Sequence, residues 1–512
     1  MKVGFYELYV EEVAKNDKLS SDFKYLKNEN QSLLNRIHYL EDNMQGSVQK
    51  AVDSAVKQVS NIYESKISTL NHKVSQLESV LNIDGSNSGI PTSLTPLNKN
   101  KRIPNTRDKT DKHIGGQHGH KKHKLEKFKE EEITIHLNHK VRKCAICGGA
   151  LLEGHIYTSK DELEFEVQVK KIRHNFYEYK CEDCGKSIKV NTPLYLKEEN
   201  QYGTNVQALA ITLMNQGYVS MNRTKEIISG LTQNEISLSE GFIAKLQNRL
   251  ADQLIEFRKE LKQAILQLPI LHWDDTVVMI ATKRSCLRFY GDKAIALYCA
   301  HDKKDRVGLD EDGILELLGQ DSIVVHDHNL INYNDDYNFQ NAECCVHLIR
   351  DLQKVIDNLQ HKWAENMIEL IVGTYKKRES IFGLDVKQVE LDYDMELSHG
   401  EVENLKDKEA YYADTERTLL KRMAQYKENY LMWTVNQEIP FSNNESERSL
   451  RSSKTKMKVS GQFQNIKSAE NFAIIKSYIE TGKRHGMNSL DIIIRALQGN
   501  YCTLEEMKKH EN

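Results

Sequence analysis

The stretch PILHWDDTVVMIA, residues 269–281, is where the sequence changes from helical to strand-like patterning. The same apolar character returns in three later segments, with a helix-like segment before the last of them: LRFY (287–290), KAIALYCAHD (293–302), DEDGILELLG (310–319) and SIVVHD (322–327). Three strands, a helix and a buried fourth strand that ends in an acid is the order expected of a ribonuclease-H-like core. We therefore predict such an α/β core, with Asp274 on its first strand and Asp327 at the tip of its fourth.

These two acids are 53 positions apart and can serve phosphodiester chemistry when a third acid joins them. Divalent ions in such sites are held by hard oxygen ligands, because one ion activates the attacking hydroxyl and the other stabilises the leaving oxygen. The third candidate is Glu447, on a helix predicted to start near Asn443. Strand alternation puts Asp275 on the face opposite Asp274, and about 200° of helical rotation separates Glu445 from Glu447. Only one acid of each pair can therefore serve.

Basic residues follow Glu447 along the same predicted helix: Arg448, Arg451, Lys454, Lys456 and Lys458. Side chains on the same or adjacent helical turns can contact the phosphates that flank a reacting one. We therefore expect this helix to bind DNA beside the three acids.

A second basic stretch lies at residues 99–130. It holds eleven Lys/Arg and four Asp/Glu, a local charge of +7, whereas the whole chain has a net charge of only -3. Because phosphates attract Lys and Arg whatever the fold, we favour nucleic-acid contact through residues such as Lys121 and Lys122. A merely solvated tail is the alternative. The overlapping segment 85–106 holds three of the six prolines and predicts a mobile tether.

Four of the nine cysteines form two CxxC pairs, each followed by glycine: Cys144, Cys147, Cys181 and Cys184. Tight turns of this kind present two thiolates each, and four thiolates around one tetrahedral metal predict structural Zn²⁺. The spacer 148–180 is long, but the alternation of Phe165, Val167 and Val169 suggests strands that return the chain to the first pair. Redox pairs or unrelated thiols are the alternative. The other cysteines are expected to be ordinary buried thiols of a reducing compartment: Cys286, Cys299, Cys344, Cys345 and Cys502.

Near the N-terminus, apolar residues recur at alternating steps of three and four, first in residues 23–44 and again in residues 52–81. This is a heptad seam, which includes Leu26, Leu33 and Leu40, with Asn30 at a polar position that would fix the register. We favour a self-associating coiled coil, and a long helix packed on its own protein is the alternative.

Residues 203–258 are typical of three short helices, the third of them capped by Ser237 or Ser239. Three helices in this order permit a helix-turn-helix, but a plain structural bundle satisfies the same pattern. The segment therefore does not decide between DNA binding and scaffolding.

Composition excludes several classes of protein. Hydrophobic residues make up 39% of the 512-residue chain and charged residues 28%, which suits several folded domains rather than disorder. No apolar run approaches the roughly 18 residues of a membrane span, and the acidic N-terminus does not resemble a signal peptide. GxxxxGK, HExxH and nucleophile-elbow motifs are absent from the sequence. We expect a cytoplasmic protein with no membrane partner.

Four motifs, in chain order, carry a resemblance to one family. HWDDT (272–276) resembles HxDET, VVHDH (324–328) resembles xVHDH, CCVH (344–347) resembles CxAH, and NNESERSLRSSKTKMKVSGQF (443–463) resembles NNxAERxxRxxKxxxKxSGxF. These are signatures of Insertion Sequence 66 family transposases of the TnpC type. The upstream NSGIPTS, GGQHGHKKH and CxxC elements resemble the linker and zinc-finger segments of the same family. The sequence departs from the family pattern at Asp275, Asn329 and Ser442.

The resemblance implies a DDE transposase that cuts and rejoins DNA with Asp274, Asp327 and Glu447 and with Mg²⁺ or Mn²⁺. It also implies a nearby His347 of undefined role and a helical insertion over residues 351–434. The implied partners are DNA (terminal inverted repeats and target), further copies of the chain through the coiled coil, and small accessory transposition proteins. The alternatives are a relic that binds DNA without chemistry, and a coiled-coil protein with no nucleic-acid partner.

These expectations divide the chain into eight segments. The N-terminal half comprises a coiled coil (1–83), a basic flexible linker (84–130), a zinc-binding domain (131–200) and a helical region that permits a helix-turn-helix (201–262). The ribonuclease-H-like core occupies two segments, separated by the helical insertion and followed by a tail: 263–350, 351–434, 435–500 and 501–512.

We predict that the purified protein carries about one Zn²⁺ per chain, bound by the four CxxC thiolates, because such a set leaves no open position and describes a structural site. Metal analysis of the full-length protein and of Cys181→Ser checks this. The variant should lose its zinc, and an unchanged zinc content would contradict the assignment.

Overall fold

The computed structural model of the chain describes residues 2–41, 47–81, 126–193, 195–378 and 383–510. Within them the protein is mixed α/β, with sixteen α-helices, one five-stranded mixed sheet and one two-stranded sheet. None of the helices in these ranges is long and apolar enough to cross a membrane. Lys121 and Lys122 lie outside the described residues, so their contact with nucleic acid stays a prediction.

The N-terminal region contains two long helices, α1 (Lys2–Glu41) and α2 (Ser47–Leu81), which pack against each other. Most seam positions are half-buried, and the α2 set is Val56, Val59, Tyr63, Ile67, Leu70, Val74 and Leu77. The α1 seam differs at one step, where Leu33 is 43% exposed and its neighbour Leu34 is half-buried instead. The heptad pattern therefore marks the contact face of α2 and most of that of α1.

Residues 126–193 contain little regular structure. Strands β1 (Glu178–Lys180) and β2 (Ser187–Lys189) pair antiparallel on either side of the second CxxC turn. The prediction of strands at Phe165, Val167 and Val169 is wrong. Phe165 and Val167 are exposed, so the alternating pattern has no buried face to satisfy, and an exposed apolar alternation does not by itself make a strand.

Four helices follow: α3 (Thr204–Asn215), α4 (Met221–Leu231), α5 (Glu240–Gln253) and α6 (Ile255–Ile265). The predicted helices are confirmed, and Ser239 rather than Ser237 caps α5, because its hydroxyl accepts the backbone N–H of Phe242. Apolar side chains from these helices share one buried core with residues of the sheet and of the C-terminal helices. This packing joins the helices to the sheet, and the helix-turn-helix stays a prediction.

The central sheet has the strands β3 (Ile270–Ile280), β4 (Lys283–Gly291), β5 (Ala296–His301), β6 (Ile323–His326) and β7 (Gln340–Glu343). Their order in space is β5-β4-β3-β6-β7. The first three are joined antiparallel, whereas β6 and β7 run parallel to β3. The four strands predicted from the sequence are therefore present, and β7 is added at the edge.

Helix α7 (Arg306–Asp312) connects β5 to β6. The sequence predicted a helix over 310–319, and the structure places it earlier. The carboxylate of Asp305 caps its start by accepting the N–H of Gly308, and Gly313 ends it in the left-handed region at φ 65°. Glycine adopts that conformation without steric cost and so commonly ends a helix.

A helical insertion follows β7 and forms a second core around Trp363 and Trp433. Its helices are α8 (Cys345–Leu359), α9 (Lys362–Lys377), α10 (Val386–Lys406), α11 (Ala413–Gln425) and α12 (Lys427–Val435). The segment is therefore helical, as expected. One ring contact, between His72 and Tyr411 at 5.1 Å, also joins α2 to this insertion.

The C-terminal helices are α13 (Asn444–Ser460), α14 (Ile466–Arg484), α15 (Ser489–Leu497) and α16 (Leu504–His510). Helix α13 packs on β3 and β4, and α14 packs on β5. Residues 501–510, expected to be part of a tail, include the buried side chains of Leu504 and Met507 in the main core. Helix α13 and the first half of α14 therefore pack in one core with β3, β4 and β5, whereas α15 and α16 pack in the main core.

Candidate active site

The parallel pairing of three strands aligns the candidate residues. His272 on β3 lies opposite Val325 on β6, and Val325 lies opposite Ala342 on β7. Continuing this register by two residues brings Asp274, Asp327 and Cys344 into one row, with side chains on the same face of the sheet. Two of the predicted acids thus meet where the parallel strands end.

Asp274 and its neighbour Asp275 point in opposite directions. Asp275 forms an ion pair with Lys304, with Oδ1 2.8 Å from Nζ. Asp274 is half-buried, and burial together with the negative charge of Asp327 raises the pKa of Asp274 to about 8. Of the two, Asp274 is the acid that shares an environment with Asp327.

Glu447 lies in the first turn of α13, and its carboxylate lies beside His347. Its Oε1 lies 3.7 Å from Nε2 of His347 and 3.5 Å from Nη1 of Arg350. The other oxygen, Oε2, lies 3.7 Å from Nη2 of Arg451. His347 in turn places Nδ1 2.9 Å from Oδ1 of Asp327, so a single imidazole bridges two of the three predicted acids.

The competing acid Glu445 faces elsewhere. Its Oε1 lies 3.0 Å from Nη2 of Arg484, and Oε2 lies 3.4 Å from Nη2 of Arg448. This difference follows from the rotation of about 200° between positions two apart on a helix. The structure therefore brings Glu447, and not Glu445, to Asp327 and His347.

Asn443 fastens the start of α13 to β3, a role that the sequence did not reveal. Its Nδ2 donates to the carbonyl of Trp273 at 2.8 Å, and its Oδ1 lies 2.9 Å from Nδ1 of His272. Its backbone N–H donates to Sγ of Cys344 at 3.2 Å. Burial lowers the pKa of His272, which favours a neutral ring. Asn443 is fully buried and fixes Glu447 relative to Asp274.

His347 and Cys344 lie beside the acids at the start of α8. Nδ1 of His347 is 3.4 Å from Sγ of Cys344, and the ligand atoms of Asp327, Cys344 and His347 all lie within 4.8 Å of one another. Burial acts to lower the pKa of His347, but its close contacts with the carboxylate of Asp327 and the sulfur of Cys344 raise it to about 11. Cys344, expected to be an ordinary buried thiol, is buried but belongs to this cluster.

The acids suit a hard divalent cation. Oδ1 of Asp327 and Oε1 of Glu447 are buried, and within the described part of the chain neither receives a well-aligned hydrogen bond. In this part of the chain the two oxygens form ion pairs with His347 and Arg350 instead. Buried carboxylate oxygens that lack donors are costly, and oxygen atoms of this kind are the ligands that Mg²⁺ and Mn²⁺ prefer.

The basic residues of α13 divide between two faces. Arg451, Lys454 and Lys458 are exposed and stand four, seven and eleven positions after Glu447, which is one face of a helix. Arg448 is also exposed, on an adjacent face.

Lys456 corrects the prediction. It is 7% exposed, its Nζ lies over the rings of Phe463 and Phe472, and burial lowers its pKa to about 8. A side chain packed between rings is not free to bind a phosphate.

The two CxxC pairs form matching turns. Cys144 donates its N–H to Gly149 and accepts the N–H of Gly148, and Cys181 makes the equivalent bonds with Lys186 and Gly185. Backbone hydrogen bonds, chiefly from Cys147, lower the pKa of Cys144, and those from Cys184 act alike on Cys181. In the described ranges no three of the four sulfurs lie within 4.8 Å of one another. The turns are present, and a shared zinc site stays a prediction.

Comparison with known proteins gives one match. Residues 199–471 match the model of a family described as Transposase IS66 family. The match spans just over half of the 512 residues and contains all three acids, His347 and the basic face of α13. No curated protein matches the chain.

Asn443→Ala should destabilise the protein, because it leaves the buried carbonyl of Trp273 and the ring of His272 without a partner. The loss in free energy of unfolding should reach at least about 2 kcal/mol, since each buried group left unpaired costs about 1–3 kcal/mol. Urea unfolding followed by circular dichroism measures it. Asn444→Ala, at the exposed next position, is the control and should change stability by less than about 0.5 kcal/mol; equal effects would contradict the role of Asn443.

Proposed function

The chain belongs to the IS66 family of transposases, and from this premise we propose that it catalyses metal-dependent DNA strand cleavage and strand transfer at the ends of an insertion sequence. The observation that carries the proposal is the convergence of Asp274, Asp327 and Glu447 on one partly buried place. Asp274 and Asp327 come from neighbouring parallel strands, and Glu447 comes from a helix fastened to the first of them by Asn443.

The topology of the central sheet supports the proposal that a ribonuclease-H-like core carries the candidate site. The first four strands follow one another along the chain as predicted from the sequence, and in space three antiparallel strands are followed by two parallel ones, in the order β5-β4-β3-β6-β7. We infer that residues 263–350 and 435–500 form this core and that residues 351–434 are inserted into it. Most of the second core comes from the insertion, but Val325 of β6 and Ala342 of β7 also belong to it, so the insertion packs against the parallel edge of the sheet.

Each acid has a role that its surroundings favour. Asp274, Asp327 and Glu447 would hold two Mg²⁺ or Mn²⁺ ions, and one oxygen each of Asp327 and Glu447 lacks a good hydrogen-bond donor. When bound, such ions activate the attacking hydroxyl and stabilise the leaving oxygen. His347, Arg350 and Arg451 keep the carboxylates oriented, since each contacts at least one of them.

The exposed face of α13 provides a path for DNA away from the acids. Arg451, Lys454 and Lys458 continue the helical face of Glu447, so a strand whose scissile phosphate lies at the acids would pass its flanking phosphates along them. Arg448 lies at the edge of this face. We propose further contacts from the basic segment 84–130 and from a zinc-binding module at 131–200, whose paired turns resemble metal-binding knuckles.

The two N-terminal helices are proposed to join copies of the chain. Among their described side chains only Ile37 is buried, and the other described seam residues are half-buried or, for Leu33, exposed, although α1 and α2 pack together. A second copy would cover this apolar surface. Linking two active sites in this way is suited to holding both ends of one DNA element, with or without small accessory proteins.

Glu447→Gln should reduce strand cleavage and joining by orders of magnitude, because the amide keeps the size of the side chain but removes the negative charge that a divalent ion needs. Cleavage of labelled DNA that carries the terminal inverted repeats, in Mg²⁺ or Mn²⁺, measures this. DNA binding should survive, since its energy comes from basic residues elsewhere.

The matched control for this experiment is Glu445→Gln, which alters an acid paired with Arg484 and should retain cleavage. Inactivity of the control together with activity of Glu447→Gln would overturn the assignment. A wild-type protein that binds these DNA ends but never cuts them would identify the inactive relic instead.

The segment 20–83 should be helical and dimeric or larger in isolation. Ile67→Lys places a charge on the half-buried seam and should shift the segment toward monomer, whereas Ser68→Lys, at an exposed position, should not. Sedimentation at micromolar concentration distinguishes these outcomes. A monomeric wild-type segment would remove the coiled-coil proposal and leave the catalytic one untouched.

A further inference from the structure

Three chemically different metal ligands meet at the edge of the candidate active site. They are the carboxylate of Asp327, the thiol of Cys344 and the imidazole of His347, with ligand atoms within 4.8 Å of one another. Among the residues that the structure describes, no other set of three His, Cys, Asp or Glu side chains meets this distance. Cys344 is buried, whereas Asp327 and His347 are half-buried and so reach the surface.

Two of the three distances between ligand atoms in this trio are close to those around a zinc ion. Nδ1 of His347 lies 2.9 Å from Oδ1 of Asp327 and 3.4 Å from Sγ of Cys344. Zinc bonds of about 2.0–2.3 Å to oxygen, nitrogen and sulfur separate neighbouring ligand atoms by about 3.3–3.6 Å in a tetrahedron. The third pair of ligand atoms, on Asp327 and Cys344, lies within 4.8 Å, so shifts of up to about 1 Å, within the freedom of ordinary side-chain torsions, would place an ion between the three atoms.

The surroundings of the trio also suit a bound ion. Oδ1 of Asp327 is buried and lies 2.9 Å from Nδ1 of His347 in an ion-pair contact, and a cation bound by both atoms would replace that contact. Nε2 of His347 faces Oε1 of Glu447 at 3.7 Å, and a metal-bound imidazole commonly donates its other N–H to a carboxylate. Nη1 of Arg350 now lies 3.0 Å from that Nε2 and would turn to Glu447, 3.5 Å away.

The ligand chemistry selects one class of cation. A thiolate and an imidazole favour Zn²⁺ or Cd²⁺, whereas Mg²⁺ prefers oxygen ligands and octahedral geometry. The oxygen-only set Asp274, Asp327 and Glu447 has the opposite preference. Asp327 belongs to both sets, so an ion held by Cys344 and His347 would compete with a hard cation for the same carboxylate.

We propose that Asp327, Cys344 and His347 bind a thiophilic divalent cation such as Zn²⁺ or Cd²⁺, and that this ion inhibits the enzyme by withdrawing Asp327 from the set that holds Mg²⁺. The inhibitory half of the proposal rests on the proposed function. The binding half does not, because it concerns only three side chains and an ion.

Binding is tested on the full-length, zinc-loaded protein titrated with Co²⁺, whose bond to a thiolate absorbs in the near ultraviolet. Wild type should show one more equivalent of this absorption than Cys344→Ser. Cys345→Ser is the matched control, because the sulfur of Cys345 contacts the carbonyl of Tyr430 and the indole N–H of Trp433 in the insertion core; it should behave like wild type. Equal absorption in wild type and Cys344→Ser would overturn the site.

A second measurement does not depend on the variants being folded. Crystals of the wild-type protein soaked in Cd²⁺ should show an anomalous scattering peak between Asp327, Cys344 and His347. Cd²⁺ bound elsewhere on the chain, with nothing at this trio, would likewise overturn the site.

Inhibition is tested by strand cleavage in Mg²⁺ with added micromolar Zn²⁺, each variant compared with its own activity in Mg²⁺ alone. Wild type and Cys345→Ser should lose at least about tenfold, and Cys344→Ser less than about twofold, because serine is a poor ligand for a soft cation. Equal loss in all three would overturn the inhibitory role. A protein that binds Co²⁺ through Cys344 but never cleaves DNA would support the metal site and contradict the proposed function.

Discussion

The parallel pairing of β3 with β6 is the constraint on which the candidate site depends. It joins strands whose paired residues, such as His272 and Val325, lie some fifty positions apart in sequence, and its register sets Asp274 level with Asp327. A slip of one residue would turn one of these acids to the opposite face of the sheet. Asn443 attaches helix α13 to β3, because its side-chain amide donates to the carbonyl of Trp273, the residue before Asp274.

The carboxylates of the candidate site are partly buried, and neighbouring basic side chains compensate for their negative charge. His347 contacts Asp327 and Glu447, and Arg350 and Arg451 also contact Glu447. Such contacts orient the carboxylates, but they leave buried oxygens without well-aligned donors. This combination of fixed geometry and incomplete pairing is what a cation site needs, because a ligand oxygen must be both positioned and free.

Some features were accessible from the sequence because they depend on near neighbours along the chain. Strand-like patterning at 269–281 and 322–327 gave the positions of β3 and β6, and the separation of Glu445 from Glu447 followed from helical rotation alone. Other expectations failed because the outcome depends on distant partners. The alternation around Phe165 has no surface to pack against, and Lys456 lies on the side of α13 that faces Phe463 and Phe472.

The sequence by itself determined the family and the positions of the four predicted strands of the central sheet, and it singled out three candidate acids, since ordered motifs and local periodicity can be read without any knowledge of packing. Only the tertiary structure decided which groups meet. Cys344 looked like an ordinary buried thiol, yet β7 runs parallel to β6 and carries it into the row of Asp274 and Asp327. Asn443 looked like part of a helix start, yet its side chain binds β3. The physical reason is that hydrogen bonds and ion pairs act over a few ångströms in space, whereas these partners are separated by many residues along the chain.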